Sequence, residues 1–309
     1  MKSMRLNRCQ ARISSSGRGT KSLNITDGLL DCDRMMSMQR FAKASEFTSI
    51  CDDIRVGGAA RLAEIISKEP QKLRVADEFN FTVAHCIAGT GSEELQRVLL
   101  DHMCILKLGL ENGVRSVAHE LAANCSDSFL LRMLDRSDIL RISLENGWSV
   151  AHEIASRHAS VEAKMRLIGD DKLLKLQAKD RRSVAHILAV NGLNEVGMGL
   201  VGKGDVLRLV GRVMGVEASV AHELAAMGSQ EVLMALLKGN DIQMLGMLNG
   251  SGRTVIGIIA ERGFEEVRRE ICGHGMLLNI RDRNGLSTWS IMEAHNGGGH
   301  SHQELQLRY

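Results

Sequence analysis

The chain has 309 residues, 44% of them hydrophobic and 25% charged, which is the balance of a globular protein with a sizeable core. No apolar run nears the roughly 18 residues a membrane-spanning helix needs, and 3% aromatics weigh against a base- or sugar-stacking surface. The formal charge of +2 is unevenly spread: residues 1–40 hold eight Lys/Arg and three Asp, the remainder 31 basic and 34 acidic residues. A near-neutral body is not a surface built to grip phosphates. The single proline, Pro70, inclines the reading towards helices rather than many tight β-turns.

Taken in chain order, residues 1–40 come first. Their first 26 residues carry six basic residues and no acid. Such a stretch reads as a disordered basic arm. Its Ser/Arg-rich, acid-poor composition is equally that of an organellar transit peptide or an uncleaved bacterial secretion signal. A third reading is a start at Met35, Met36 or Met38. Seven cysteines form an odd set with no C-x-x-C pair, so free thiols in a reducing, cytoplasmic compartment are expected.

The body is repetitive. Thr82-Val83-Ala84-His85 is followed by Ser-Val-Ala-His at residues 116–119, 149–152, 183–186 and 219–222. Two degenerate copies begin at Thr254 and Ser287, and a weaker unit at Thr48 precedes them all. The fourth position falls at 85, 119, 152, 186, 222, 257 and 290, a period of 33–36 residues. Counted from it, Gly91, Gly192, Gly228 and Gly263 lie six residues on, and Leu99, Leu200, Leu236 and Ile271 fourteen on. Glu94, Glu195, Glu231 and Glu266 lie nine on. Each unit reads as helix–turn–helix. The Ser/Thr caps the first helix, the glycine ends it in a left-handed conformation, and apolar residues recur at helical spacing in the second. Asn-Gly pairs at 112, 146, 249 and 284 suit the reversal into the next unit.

This pattern resembles the ankyrin repeat, whose unit of about 33 residues carries G-x-T-P-L-H, two alanines and a glycine six after the histidine. Gly147-Trp148-Ser149-Val150-Ala151-His152 fits that frame without gaps, and the resemblance covers roughly residues 45–294. The proline of the family is Val in most units, and its Leu before His is Ala. The expected fold is an all-α, ankyrin-like helix–turn–helix solenoid of seven to eight stacked units. Residues 41–78 form a degenerate capping repeat, 79–294 the array and 295–309 a flexible Gly/His-rich tail.

The column His85, His119, His152, His186 and His222 invites a metal reading. Repeats stacked about 8–10 Å apart cannot bring adjacent columnar histidines to one ion at about 2 Å. A structural role, tying turn and neighbouring repeat, is what the resemblance implies. No H-E-x-x-H pair, Walker loop or Rossmann fingerprint is present. His85 and Cys86 do not make a nucleophile pair, since adjacent side chains on a helix do not face each other. No metal, cofactor or catalytic residue is expected, and no enzyme activity.

The residue before each cap varies while its neighbours repeat: Phe81, Arg115, Trp148, Arg182, Ala218, Arg253 and Leu286. The resemblance places it at the tip of the inter-repeat finger, on the binding side. Trp and Arg are frequent interface anchors, which makes Phe81, Arg115, Trp148, Arg182 and Arg253 the candidate partner-binding residues. The function expected is non-catalytic binding of another protein through finger tips and concave face, as an exported effector or an inhibitor of a host or defence protein. The alternative is a nucleic-acid-associated adaptor that uses the basic arm.

Overall fold

The computed structural model describes residues 25–110, 115–192, 194–213, 215–239 and 241–296. The described residues from 44 on form one compact unit that holds the repeats, and those before 44 belong to another. The first helix is Ile25–Lys68, broken at Gly58, where φ is 62°. Residues 25–40, expected within a disordered arm, therefore have helical backbone, whereas 1–24 lie outside the described residues. Thr48 does not open a helix as the repeat frame suggested. Its Oγ1 donates to the Ala44 carbonyl inside a continuous helical stretch, and the break comes at Gly58.

From Val83 onward the units follow the expected plan. First helices are Val83–Thr90, Val117–Asn124, Val150–Ser156, Val184–Asn191, Val220–Met227, Val255–Glu261 and Thr288–Asn296. Second helices are Glu93–Leu100, Asp127–Leu134, Val161–Gly169, Asn194–Val201, Gln230–Lys238 and Glu265–Gly273. The cap hydroxyl of each of the first six units accepts from the N–H three residues on. Ser92, Ser126, Ser160 and Ser229 do the same for second helices, a column the sequence reading passed over. The glutamates at plus nine sit in the first turns of those helices, where a negative charge complements the helix dipole. Both helices turn apolar residues inward: Val83, Ala84, Leu99, Val117, Leu121, Phe129, Met133, Val150, Leu200 and Ile271 are all fully buried.

Each second helix leads into a four-residue helical turn, such as Ser137–Leu140 or Asp171–Leu174, which the sequence reading missed. Its trace in the sequence is an apolar pair: Ile105-Leu106, Ile139-Leu140, Leu173-Leu174, Val206-Leu207, Met244-Leu245 and Leu277-Leu278. A finger then runs to the next cap. In the complete fingers one N–H donates four residues forward, as from Leu144 to Trp148 and from Asn249 to Arg253. Between Arg182 and Val220 the finger lengthens into a β-hairpin, Val210–Val213 paired antiparallel with Val216–Ser219, which accounts for the 36-residue spacing there. Adjacent fingers are tied by backbone bonds: Lys179 N–H to the Asn146 carbonyl, Arg212 to Asp180, Gly250 to Glu217 and Arg283 to Gly252.

Two expectations about glycine are corrected in part. Of the four plus-six glycines, Gly263 is left-handed as expected, with φ 74°, whereas Gly91, Gly192 and Gly228 are extended, with φ between −64° and −78°. The last three are small because a Cβ there would lie 2.3–2.4 Å from the carbonyl oxygen four residues back. A recurring left-handed residue lies instead two before the cap: Gly147, Gly252 and Gly285, with Asn80 and Arg181 in the same role. Gly252 is doubly constrained, by φ 81° and by the Arg283 Cβ 2.6 Å from where its own Cβ would stand. Gly252→Ala is expected to cost about 2 kcal/mol in denaturant unfolding. Gly273→Ala, at an open helix end with nothing within 4 Å, should leave the midpoint essentially unchanged.

Candidate functional site

The histidine column is a chain of repeat-to-repeat ties. In the units of His85, His152, His186 and His222, the cap's backbone N–H donates to the histidine Nδ1 at 3.1–3.2 Å. All five cap hydroxyls lie 2.7–2.8 Å from the same nitrogen. Nε2 reaches into the next unit. It bonds the carbonyl of Arg115 from His85 (2.7 Å), of Trp148 from His119 (3.0 Å), of Arg182 from His152 (3.2 Å) and of Ala218 from His186 (3.2 Å). His222 meets the carbonyls of Met247 and Arg253. A carbonyl can only accept and a backbone N–H can only donate, so in those four units the ring is neutral with its proton on Nε2. Burial enforces this, pushing His119, His186 and His222 down to about 4 and lowering His85 and His152 as well. Both ring nitrogens are thus engaged, and neither is available to a metal ion. At Gly257 the column stops, and the Ile291 Cδ1 stands 3.3 Å from the place of its missing Cβ.

The residue before each cap lies on the returning arm of the finger rather than at its tip. At Trp148, Arg182 and Arg253 its carbonyl accepts both the finger's closing hydrogen bond and, from the preceding unit, the histidine Nε2. The tips are Phe79, Asn146, Lys179, Ser251 and Asn284, all exposed. Three of the sequence-derived candidates converge. The Trp148 Nε1 donates to the Glu153 carboxylate at 3.1 Å, and the same carboxylate pairs with Arg115 from the finger before. The Arg182 guanidinium, from the finger after, lies 5.6 Å from the Trp148 ring centroid and is held by Asp180 at 2.6 Å. The other neighbour of the indole is the His152 ring, 5.1 Å away. Three consecutive units therefore present one half-buried cluster of indole, guanidinium and carboxylate. Glu153, which joins it, was missed, although Glu follows His in three units.

Phe81 and Arg253 stand apart from this cluster. Phe81 packs edge-on against its own His85, at 5.4 Å, and Arg253 pairs with Glu261 of its own unit. Ala218 is buried in the hairpin and Leu286 is exposed. At the other end of the first helices, Arg157 donates to the carbonyls of Ala122 and Cys125, and Arg262 to those of Ala226 and Gly228. Each covers the helix end of the preceding unit, a role with no sequence signature beyond the residue itself. Of the tail histidines, His295 ends the last described helix, with its Nδ1 3.2 Å from the Ile291 carbonyl, whereas His300 and His302 lie outside the described residues. Among the described residues no cluster of three His, Cys, Asp or Glu is placed to hold a metal, and no helix is long and apolar enough to cross a membrane.

Among solved structures, the chain is similar to the ankyrin repeat domain of Bcl-3, a member of the IkappaB protein family. The match covers 67% of this chain and 92% of that one, with a TM-score of 0.51 and 14% identity. The chain has the ankyrin-repeat fold. It is also similar to a chain in the complex of the predatory endopeptidase Bd0816 from Bdellovibrio bacteriovorus with the immunity protein Bd3460. That match covers 58% of this chain and 92% of the other, with a TM-score of 0.44 and 14% identity. No family model matches the sequence, and no curated protein matches it. The departure from the ankyrin proline has a structural reason. The residue after each cap donates its N–H to the opening arm of the finger: Val83 to Val75, Val117 to Leu108, Val150 to Ile142, Val184 to Leu176, Val220 to Leu209, Val255 to Met247 and Thr288 to Ile280, at 2.9–3.3 Å. Proline has no N–H to give, so these ankyrin units exchange a preset φ for a bond that clamps helix to finger.

Proposed function

We propose that the array is a non-catalytic scaffold that binds another protein on the side formed by the returning finger arms and first helices. The observation that carries this reading is the Arg115–Trp148–Glu153–Arg182 cluster, assembled from three successive units and held by internal hydrogen bonds and ion pairs. Groups fixed in this way lose little freedom when a partner docks, and indole and guanidinium are frequent anchors. The chemistry suits a partner segment that offers a carboxylate to the guanidinium groups and an apolar side chain to the exposed part of the indole. Phe81 and Arg253 extend the same column and are assigned the outer contacts. Action as an exported effector or as an inhibitor of a host or defence protein is a finer version of the same reading, and so is residence in a reducing cytoplasm.

The test compares affinity capture by the wild type, by Trp148→Ala/Arg182→Ala and by Arg269→Ala, the last on the exposed side of a second helix. A protein retained by wild type and Arg269→Ala but reduced at least about tenfold by the double variant, a loss of 1.4 kcal/mol or more, supports the reading. Equal retention by all three, with circular dichroism showing folded protein, moves the interface elsewhere.

A further inference from the structure

A glutamate follows the column histidine in three units, as Glu120, Glu153 and Glu223. Two of the three are satisfied within the array. Glu120 accepts from the Asn124 side chain one turn on, at 2.7 Å. Glu153 is served by two residues that stand before caps, Trp148 of its own unit and Arg115 of the unit before. The residues in those two places relative to Glu223 are Ala218 and Arg182. Ala218 has no side-chain donor, and the Arg182 guanidinium is held by Asp180 at 2.6 Å and stands over Trp148. Glu223 is half-buried, yet among the described residues its carboxylate has neither a hydrogen bond nor an ion pair. The first helices packed on either side carry buried isoleucines, Ile187 and Ile258, at the same position. One turn on, at the spacing that puts two side chains on one helix face, Met227 is exposed. A partly buried carboxylate with no counter-charge is costly to keep ionised, and burial raises Glu223 to about 7.

We propose that Glu223 is the recognition site for a Lys or Arg side chain of the bound protein, a proposal that rests on the reading of this side of the array as the partner-binding one. The incoming ammonium or guanidinium supplies the donors that Ala218 and Arg182 do not. Met227, beside it on the helix, offers apolar surface to the methylene stem. A pair formed at a half-buried carboxylate is less screened than one on an open surface, and arrival of the cation favours the ionised carboxylate, which releases any proton it holds. The same carboxylate repels an acidic residue at that place, so it sets the direction in which a partner segment lies. The acid of that segment meets the Arg115–Trp148–Arg182 cluster, and its base meets Glu223, two units on from Trp148. At about 8–10 Å per unit these anchors stand roughly 20 Å apart, a span of about six residues of extended chain.

The full chain, Glu223→Gln and Trp148→Ala/Arg182→Ala are each panned against a phage-displayed library of random linear peptides long enough to span both anchors. The wild type should enrich peptides that pair an acidic residue with a Lys or Arg at that separation. Glu223→Gln should lose the basic preference alone, and the double variant the acidic preference alone. For a synthetic peptide selected by the wild type, replacing its Lys or Arg by alanine should weaken binding at least about tenfold. The same replacement should change little once Glu223 is Gln. A wild-type selection without a basic preference, or a basic preference that Glu223→Gln keeps, overturns the Glu223 site. A basic preference that follows Glu223 while the acidic one survives the double variant supports this site and counts against the cluster. No enrichment at all overturns both. Circular dichroism of each variant shows that folded chains are being compared.

Discussion

Acidification from pH 7 to pH 4 is expected to unfold the array. His119, His186 and His222 are held at about 4 in the folded chain by burial, against an unfolded value near 6.5. Below pH 6.5 the unfolded chain takes up protons that the folded chain refuses until about pH 4, so stability falls throughout that window. At 1.36 kcal/mol per pH unit, each of the three contributes a loss of about 3 kcal/mol when the window is crossed. His85 and His152 add losses of the same sign. Glu223 works against them. Burial raises it to about 7, so the folded chain binds its proton before the unfolded chain does, and stability rises between pH 7 and 4.5. One carboxyl offsets about one histidine, and the sum remains destabilising. Urea midpoints at pH 7, 5.5 and 4 test this. Glu223→Gln should raise the midpoint at pH 7 and make the fall with acid steeper. A midpoint independent of pH over this range would refute the account of the column.

Replacing His186 by alanine is expected to cost about 3 kcal/mol, one large deletion at the centre of the array. The ring is buried, and its loss removes the tie to the Ala218 carbonyl and the bonds to the Ser183 hydroxyl and N–H. Both backbone groups would be left buried without their partner. Ser183→Ala removes only the cap hydroxyl and should cost about 1 kcal/mol. Equal costs in equilibrium unfolding would show that the inter-repeat bond contributes nothing. A larger loss for His186→Ala, with hydrogen exchange rising in the units on both sides, would show that the column couples neighbours.

The features legible in the sequence are those set within a few residues. A cap hydroxyl reaches the N–H three positions on, and a helix buries residues three and four apart, so the serines and threonines before the valines and the buried leucines at plus fourteen could be read off the period. Glycine was placed correctly but for the wrong reason at Gly91 and Gly228. Composition shows that a side chain is excluded there, and only the backbone shows that a carbonyl rather than a left-handed φ excludes it. Arg181 and Asn80 hide the left-handed turn position, because neither is the residue that signals it.

By itself, the sequence determined the all-α repeat architecture and the apolar columns that face the core, since these follow from local hydrogen bonding and apolar periodicity. The tertiary structure alone decided that Arg115, Trp148 and Arg182 meet around Glu153 while Phe81 and Arg253 do not. It also decided that each variable residue lies on a returning arm. Those contacts join side chains about one repeat apart, and their distances are set by how successive units pack, a quantity that no single unit encodes.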